Sequence, residues 1–199
     1  LPQVTDYAVN KTNVANIFTW IANGNAAEGI PQIQDGDFLY YWWMGHGAWD
    51  TYPVLPITTE YYASISTTGE QVRDDEFANY FGQLPDCLVR TLYVMTCHSG
   101  GMIEEVEGLH TMIHTAAQWD ESAYSALYDV WHAELSYHAA NAFREQDPAG
   151  TPVASDVDGD GLVSAEETNN YAHSHVVLSN SQVGDYRNTA PLIFIANAQ

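Results

Sequence analysis

Two stretches of this chain are apolar almost from end to end over the length of a strand, and each stops at glycine and a reactive side chain. Residues 37–44 read Asp-Phe-Leu-Tyr-Tyr-Trp-Trp-Met and run into Gly45-His46-Gly47. Residues 88–96 read Leu-Val-Arg-Thr-Leu-Tyr-Val-Met-Thr and run into Cys97-His98-Ser99-Gly100-Gly101. A half-solvated strand alternates apolar and polar residues, whereas a continuous apolar run needs cover on both faces. Residues 109–117 and 191–196 are further strands of this kind, and helices are predicted over 11–24, 74–82 and 131–145. In the first of these Val14, Ile17, Phe18 and Ile21 share a face and Gly24 supplies the stop. Residues 50–70, rich in Thr, Pro and Tyr, predict a long loop or hairpin. Apolar strands alternating with helices predict an α/β fold, a mostly parallel sheet with helices on both faces. With 199 residues and no internal repeat, one domain over 1–199 is expected.

The chain carries 26 Asp and Glu against 5 Lys and Arg, a net charge of −21. Such a surface repels phosphate, which excludes nucleic acid and anionic membranes as partners. No apolar run approaches the length of a membrane span. The acidity suits an extracellular or cell-surface setting. Hydrophobic residues make up 46% of the chain, enough for a core, so disorder is excluded as the main state.

Cys87 and Cys97 are the two cysteines. The strand between them would hold them roughly 30 Å apart, and a disulfide needs Cα atoms within about 7 Å. Cys97 is therefore expected to be free. In open α/β sheets ligands bind beyond the carboxyl ends of the strands, where both His46 and Cys97 fall. A cysteine nucleophile works as the thiolate, and a nearby imidazole can take its proton. Glycine at 47, 100 and 101 lets backbone N–H groups approach a developing oxyanion.

The order of apolar strand with His46-Gly47, then apolar strand with Thr96-Cys97-His98-Ser99-Gly100-Gly101, resembles the catalytic core of the caspase/legumain superfamily (clan CD) of cysteine peptidases. The segment from Thr115 through Gln118-Trp119-Asp120-Glu121-Ser122 to Tyr124 is similar to the legumain-type stretch that lines the specificity pocket. Glu134-Leu135-Ser136-Tyr137 through Ala142-Phe143-Arg144, followed by an Asp-rich loop, resembles the bacterial and archaeal legumain-like branch. The resemblance covers about residues 12–178. It implies a caspase-like three-layer sandwich that hydrolyses peptide bonds of a protein or peptide substrate through a thioester acyl-enzyme. Cys97 would be the nucleophile, His46 its acid–base partner, and the N–H groups of Gly47 and Cys97 the oxyanion hole.

It also implies a primary pocket near Asp120, Glu121, Ser122 and Asp129, whose carboxylates would favour a basic P1 residue, or Asn by hydrogen bonding. Solvated carboxylates in a very acidic chain are an equal alternative. Two departures stand out. Met95 occupies a position that is acidic in many relatives and helps build their pocket, so specificity does not carry over. Relatives also begin with a strand before the first helix, whereas residues 1–10 are weakly strand-like. That first strand is expected to be degenerate or to lie upstream, with an upstream segment of the same precursor or a subunit partner completing the sheet.

Residues 156–167 carry a separate signal. A twelve-residue calcium loop of the EF-hand type needs oxygen ligands at positions 1, 3, 5, 7, 9 and 12 and glycine at 6. Asp156, Asp158, Asp160, the Leu162 carbonyl, Ser164 and Glu167 fill those places, with Gly161 at 6 and a helix predicted to follow through about 176. A single structural Ca2+ is expected. His110 and His114, and His173 and His175, read as core or surface histidines rather than a metal site. The run 40–43 reads as sheet core, and Trp49, Tyr52, Tyr61 and Tyr62 as the rim of a groove or a subunit contact. Two other functional readings stay open on the sequence: a non-catalytic module of an extracellular or surface assembly, and a transpeptidase or acyltransferase using the same dyad.

Overall fold

The computed structural model describes residues 7–54, 58–85, 89–106, 111–128, 131–185 and 194–197, and of side chains those outside 51–62, 131 and 194–197. The first helix, α1 (Lys11–Asn23), starts where the Asn10 side chain accepts the Asn13 N–H (2.8 Å) and ends at Gly24, whose φ of 75° is easy only for glycine. Strand β1 (Phe38–Met44) follows, then a hairpin of β2 (Gly47–Val54) and β3 (Thr58–Ser66), with a short β4 (Gln71–Arg73) on its edge. The 50–70 segment is thus mostly hairpin. Helix α2 (Asp74–Gly82) leads to β5 (Val89–Met95), and a 3-10 turn with α3 (Ile103–Val106) leads to β6 (Thr111–Thr115).

Strands β1, β5 and β6 run parallel in the order β1-β5-β6, and β10 (Gln182–Gly184) closes the described edge antiparallel to β6. Before it come the pair β7 (Ser125–Leu127) and β8 (Trp131–Ala133), α4 (Glu134–Arg144), β9 (Leu162–Ser164) and α5 (Ala165–His175). The helix expected over 131–145 therefore begins three residues late, because 131–133 pair antiparallel with Leu127, Ala126 and Ser125. The candidate strand at 191–196 is seen as β11 (Phe194–Asn197), which pairs with β9 rather than joining the main sheet; residues 191–193 lie outside the described part.

The sandwich has three layers because successive side chains of a strand point to opposite faces. Leu92 and Val94 of β5 enter one core with Phe18, Phe77, Phe81 and Met102 under α1, α2 and α3. Tyr93 and Met95 enter the other with Leu135, Ala139 and Ala172 under α4 and α5. All of these are less than a tenth exposed. Residues 40–43 alternate likewise, with Tyr41 packed at an angle against Phe77 and edge-on to Phe81 on one side and Trp42 stacked on Tyr93 on the other. This is the mostly parallel, doubly covered sheet of a caspase-like fold.

A polar knot sits inside the second core. The Asn169 Oδ1 of α5 accepts from the Tyr93 hydroxyl (3.0 Å) and faces His114 Nδ1 (2.9 Å), while its amide reaches the Met112 sulfur (3.1 Å). His114 is thus a core histidine; His110 lies outside the described residues. Burial pushes the His114 imidazole down to about 3, against a smaller opposing effect of its Asn169 bond, and burial together with nearby His175 pushes His138 down to about 4. Both are neutral when folded, whereas in the unfolded chain they take protons near pH 6.5. Between pH 6.5 and about 4 the unfolded state binds more protons, so stability falls as pH falls. Thermal melts over that range should show the loss, and His114→Asn, which keeps a donor near Nδ1, should flatten the slope. An unchanged slope in both His114→Asn and His138→Gln would overturn this account.

Candidate active site and candidate metal centre

The register of β1 on β5 pairs Met44 with Met95, so His46 and Cys97 each lie two residues beyond aligned strand ends. Both line one cavity of about 330 Å³. Cys97 is a half-buried free thiol whose Sγ donates to the Ala123 carbonyl at 3.6 Å; Cys87 lies outside the described residues. His46 is exposed at the corner where β1 turns into the hairpin.

The turn after Cys97 is fastened at every step. His98 adopts φ 59°, an uncommon left-handed conformation for a residue with a side chain, and is held by its N–H on Glu121 O (2.8 Å) and by Nδ1 beside Trp119 O (3.0 Å). The Ser99 hydroxyl accepts the Ala116 N–H (3.1 Å), and the Gly100 N–H donates to Ala117 O (2.9 Å). Trp49 and Trp119, each nearly half exposed, stand edge to face beside His98 at the rim. The side chains of Tyr52, Tyr61 and Tyr62 lie outside the described ones.

Gly47 has a steric reason that sequence alone does not reveal. A Cβ there would lie 2.1 Å from the Cys97 carbonyl oxygen and 2.7 Å from Thr96 Oγ1, so only glycine lets the β1–β2 corner rest against the Cys97 backbone. The Ser66 N–H donates to His46 O (2.8 Å), which makes His46/Ser66 a hydrogen-bonded pair and Gly47/Ile65 the next, non-hydrogen-bonded one. The Gly47 N–H consequently points away from β3.

Strand ends supply Met44, Gly45 and Met95 to the cavity; the β6 end and the β7–β8 pair supply Ala116, Ala123, Tyr124, Ser125 and Ala133. Asp120, Glu121 and Ser122 are not among these lining residues, and Asp129 lies outside the described part. Asp120 is exposed. The Glu121 carboxylate instead accepts the Asn180 N–H (2.9 Å) and its side-chain amide (3.2 Å). Neither Asn180 nor Met44 is marked by any motif, whereas Met95 falls at the pocket position noted in the sequence. For Glu121, the expectation of a pocket carboxylate did not include this partner 59 residues along the chain.

The acidic loop is built as spaced. Asp156 accepts the N–H groups of Gly159 (2.8 Å) and Gly161 (3.1 Å), Asp158 that of Asp160, and Asp160 that of Leu162. Gly161, at φ 84°, makes the sharp turn at position 6. Glu167 returns from α5 to accept the Val157 N–H (2.7 Å), the Ser164 N–H and the Ser164 hydroxyl (both 2.9 Å), closing a capping box. Burial alone would raise its carboxyl, but these hydrogen bonds prevail and hold it below the usual range. Carboxylate oxygens of Asp156, Asp158 and Glu167 lie within 4.8 Å of one another. An all-oxygen donor set of this kind suits a hard divalent cation.

The family model of the peptidase C13 family matches residues 3–146. The chain belongs to that family. Peptidase C13 is the legumain family of clan CD, which makes this chain a legumain-type relative in the caspase/legumain superfamily and supports cysteine peptidase activity on protein substrates. Both strand ends bearing His46 and Cys97 fall inside the C13 match, and the acidic loop lies beyond it. Among solved structures, a structural-genomics protein of Geobacter sulfurreducens is similar over 96% of this chain and 78% of its own, with a TM-score of 0.56 and 11% identity, a likeness of fold. No curated protein sequence matches significantly. Among the described residues no helix is long and apolar enough to cross a membrane.

Proposed function

We propose that this C13 chain is a cysteine endopeptidase with Cys97 as nucleophile and His46 as its acid–base partner. The observation that carries the reading is the register pairing Met44 with Met95, which brings the two side chains to one cavity. In the reaction the Cys97 sulfur attacks the scissile carbonyl as its proton passes to His46. The oxyanion takes hydrogen bonds from the N–H groups of Gly47 and Cys97, the imidazolium protonates the departing amine, and water then cleaves the thioester.

Asp156, Asp158, Asp160, the Leu162 carbonyl, Ser164 and Glu167 would hold one Ca2+, a charge that neutralises their crowded carboxylates and so braces the loop between α4 and α5. Millimolar extracellular calcium and the charge of −21 make the outside of the cell or its surface the natural setting. The unpaired edge of β1 among the described strands is where an upstream segment or a subunit partner would add.

The test is labelling by peptidyl electrophiles with varied P1 residues, mapped by mass spectrometry, on wild type and Cys97→Ala. Modification of Cys97, faster than of Cys87, is the expected result. No modification at Cys97 by any probe would sink the peptidase reading. Adding an amine acceptor separates hydrolysis from transfer in the same reaction mixture.

A further inference from the structure

The cavity at Cys97 has an unusual chemistry for a chain this acidic. Among the described residues that line it none is Asp, Glu, Lys or Arg, and of these Tyr124 is the only ionisable side chain besides His46 and Cys97. Its depth is made by the Met95 thioether and the Ala116 methyl, 3% and 4% exposed. Ala123 and Ala133 form walls, Met44 stands 63% exposed at the mouth, and the Ser125 hydroxyl is one of its few polar side-chain groups.

Among the described residues, Glu121 and Glu134 come close in sequence, and both carboxylates are turned elsewhere. Glu121 is held by Asn180. Glu134, next to Ala133 and 2% exposed, accepts the N–H groups of Val177 and Leu178, each at 3.0 Å. A Lys or Arg side chain entering the cavity would shed water without meeting a described counter-charge, at a large desolvation cost. An Asn side chain would leave most of its amide unpaired, which is also costly. A thioether and methyl lining instead rewards an apolar side chain by contact and by release of water.

We propose that this cavity is a P1 pocket for an uncharged, apolar side chain of the size of Leu or Met. The inference rests on the peptidase reading above and adds the substrate class. It differs from the basic or Asn preference that the carboxylates of Asp120 and Glu121 suggested; Asp129 lies outside the described residues.

The experiment is turnover of peptidyl coumarin amides differing only at P1, using the full chain with calcium and Cys97→Ala as the blank. Because the leaving group is constant, only acyl-side recognition is read. Leu and Met at P1 should exceed Arg, Asn and Asp by about 10–100-fold in kcat/KM. Cys97-dependent turnover that favours Arg, Lys, Asn or Asp, or shows no P1 preference, overturns the apolar pocket and leaves the peptidase reading intact. No Cys97-dependent turnover with any substrate overturns both. Ser125→Asp, at an exposed lining position, should raise the Arg-to-Leu ratio at least about 10-fold. An unchanged ratio in both Ser125→Asp and Ala133→Val, which narrows a wall, would refute the assignment of this cavity to P1.

Discussion

Replacing Cys97 by Ala should lower kcat/KM by roughly 10⁴-fold or more, and His46→Ala by about 10²–10⁴-fold, while neither change unfolds the protein. The first loss is the larger because no thioester can form without the sulfur. The second removes proton transfer but leaves the thiol and the backbone donors in place. Structural damage should be small. The Cys97 sulfur makes one weak hydrogen bond, to Ala123 O at 3.6 Å, and His46 stands exposed at a corner. Melting temperatures near wild type, alongside collapsed turnover, would separate chemistry from folding. If His46→Ala kept wild-type turnover, the assignment of His46 would fail whatever became of Cys97.

Stripping calcium should lower the melting temperature by about 8–16 °C. The size follows from linkage: a cation at 1,000 times its dissociation constant stabilises the folded state by about 4 kcal/mol. In a domain of this length each kcal/mol is worth about 2–4 °C. Asp156, Asp158 and Glu167 face one another within 4.8 Å, so without a cation their mutual repulsion adds to the loss. Glu167→Gln should abolish most of the calcium-dependent shift, because the amide loses the charge needed at position 12. It should also lower the calcium-free melting point slightly, because Glu167 accepts four hydrogen bonds that close the loop and cap α5. Magnesium should substitute poorly, since it demands six short octahedral contacts that a calcium loop does not provide. Equal melting points with calcium and with chelator would remove the ion from this account.

The layers were legible because their signals are local. Continuous apolar runs announced β1, β5 and β6, and the apolar face over 11–24 with its Gly24 stop matched α1 within a residue. The candidate dyad was legible for a topological reason: parallel strands of equal register deliver their carboxyl ends to one edge. The loop at 156–167 was legible because its hydrogen bonds span at most ten residues. The surroundings of Cys97 were not. Met95 and Ala116 were marked only through the family resemblance, and Met44 looks like an ordinary core residue until the register brings all three around a cavity. Glu121 looks like a pocket carboxylate until Asn180 appears beside it, and β7–β8 competes with helix at 131–133 through pairing that no propensity scale contains.

The stretch just after α5 bears on where the working unit ends. Within six residues it offers N–H groups to Glu134 and Glu121, a Ser179 hydroxyl to Ala116 O at 2.6 Å, and the Gln182 carbonyl to the Thr115 hydroxyl, before entering the sheet as β10. Three of those anchor points belong to the segments that wall Cys97. A chain cut at residue 146, the limit of the C13 match, would keep both dyad side chains yet strand a buried carboxylate at Glu134 and bare the edge of β6. The boundary drawn by ancestry and the boundary drawn by bonding therefore differ. By bonding, the unit that walls Cys97 runs through Gly184 and takes the acidic loop with it, and the pairing of β11 with β9 carries it on to Asn197.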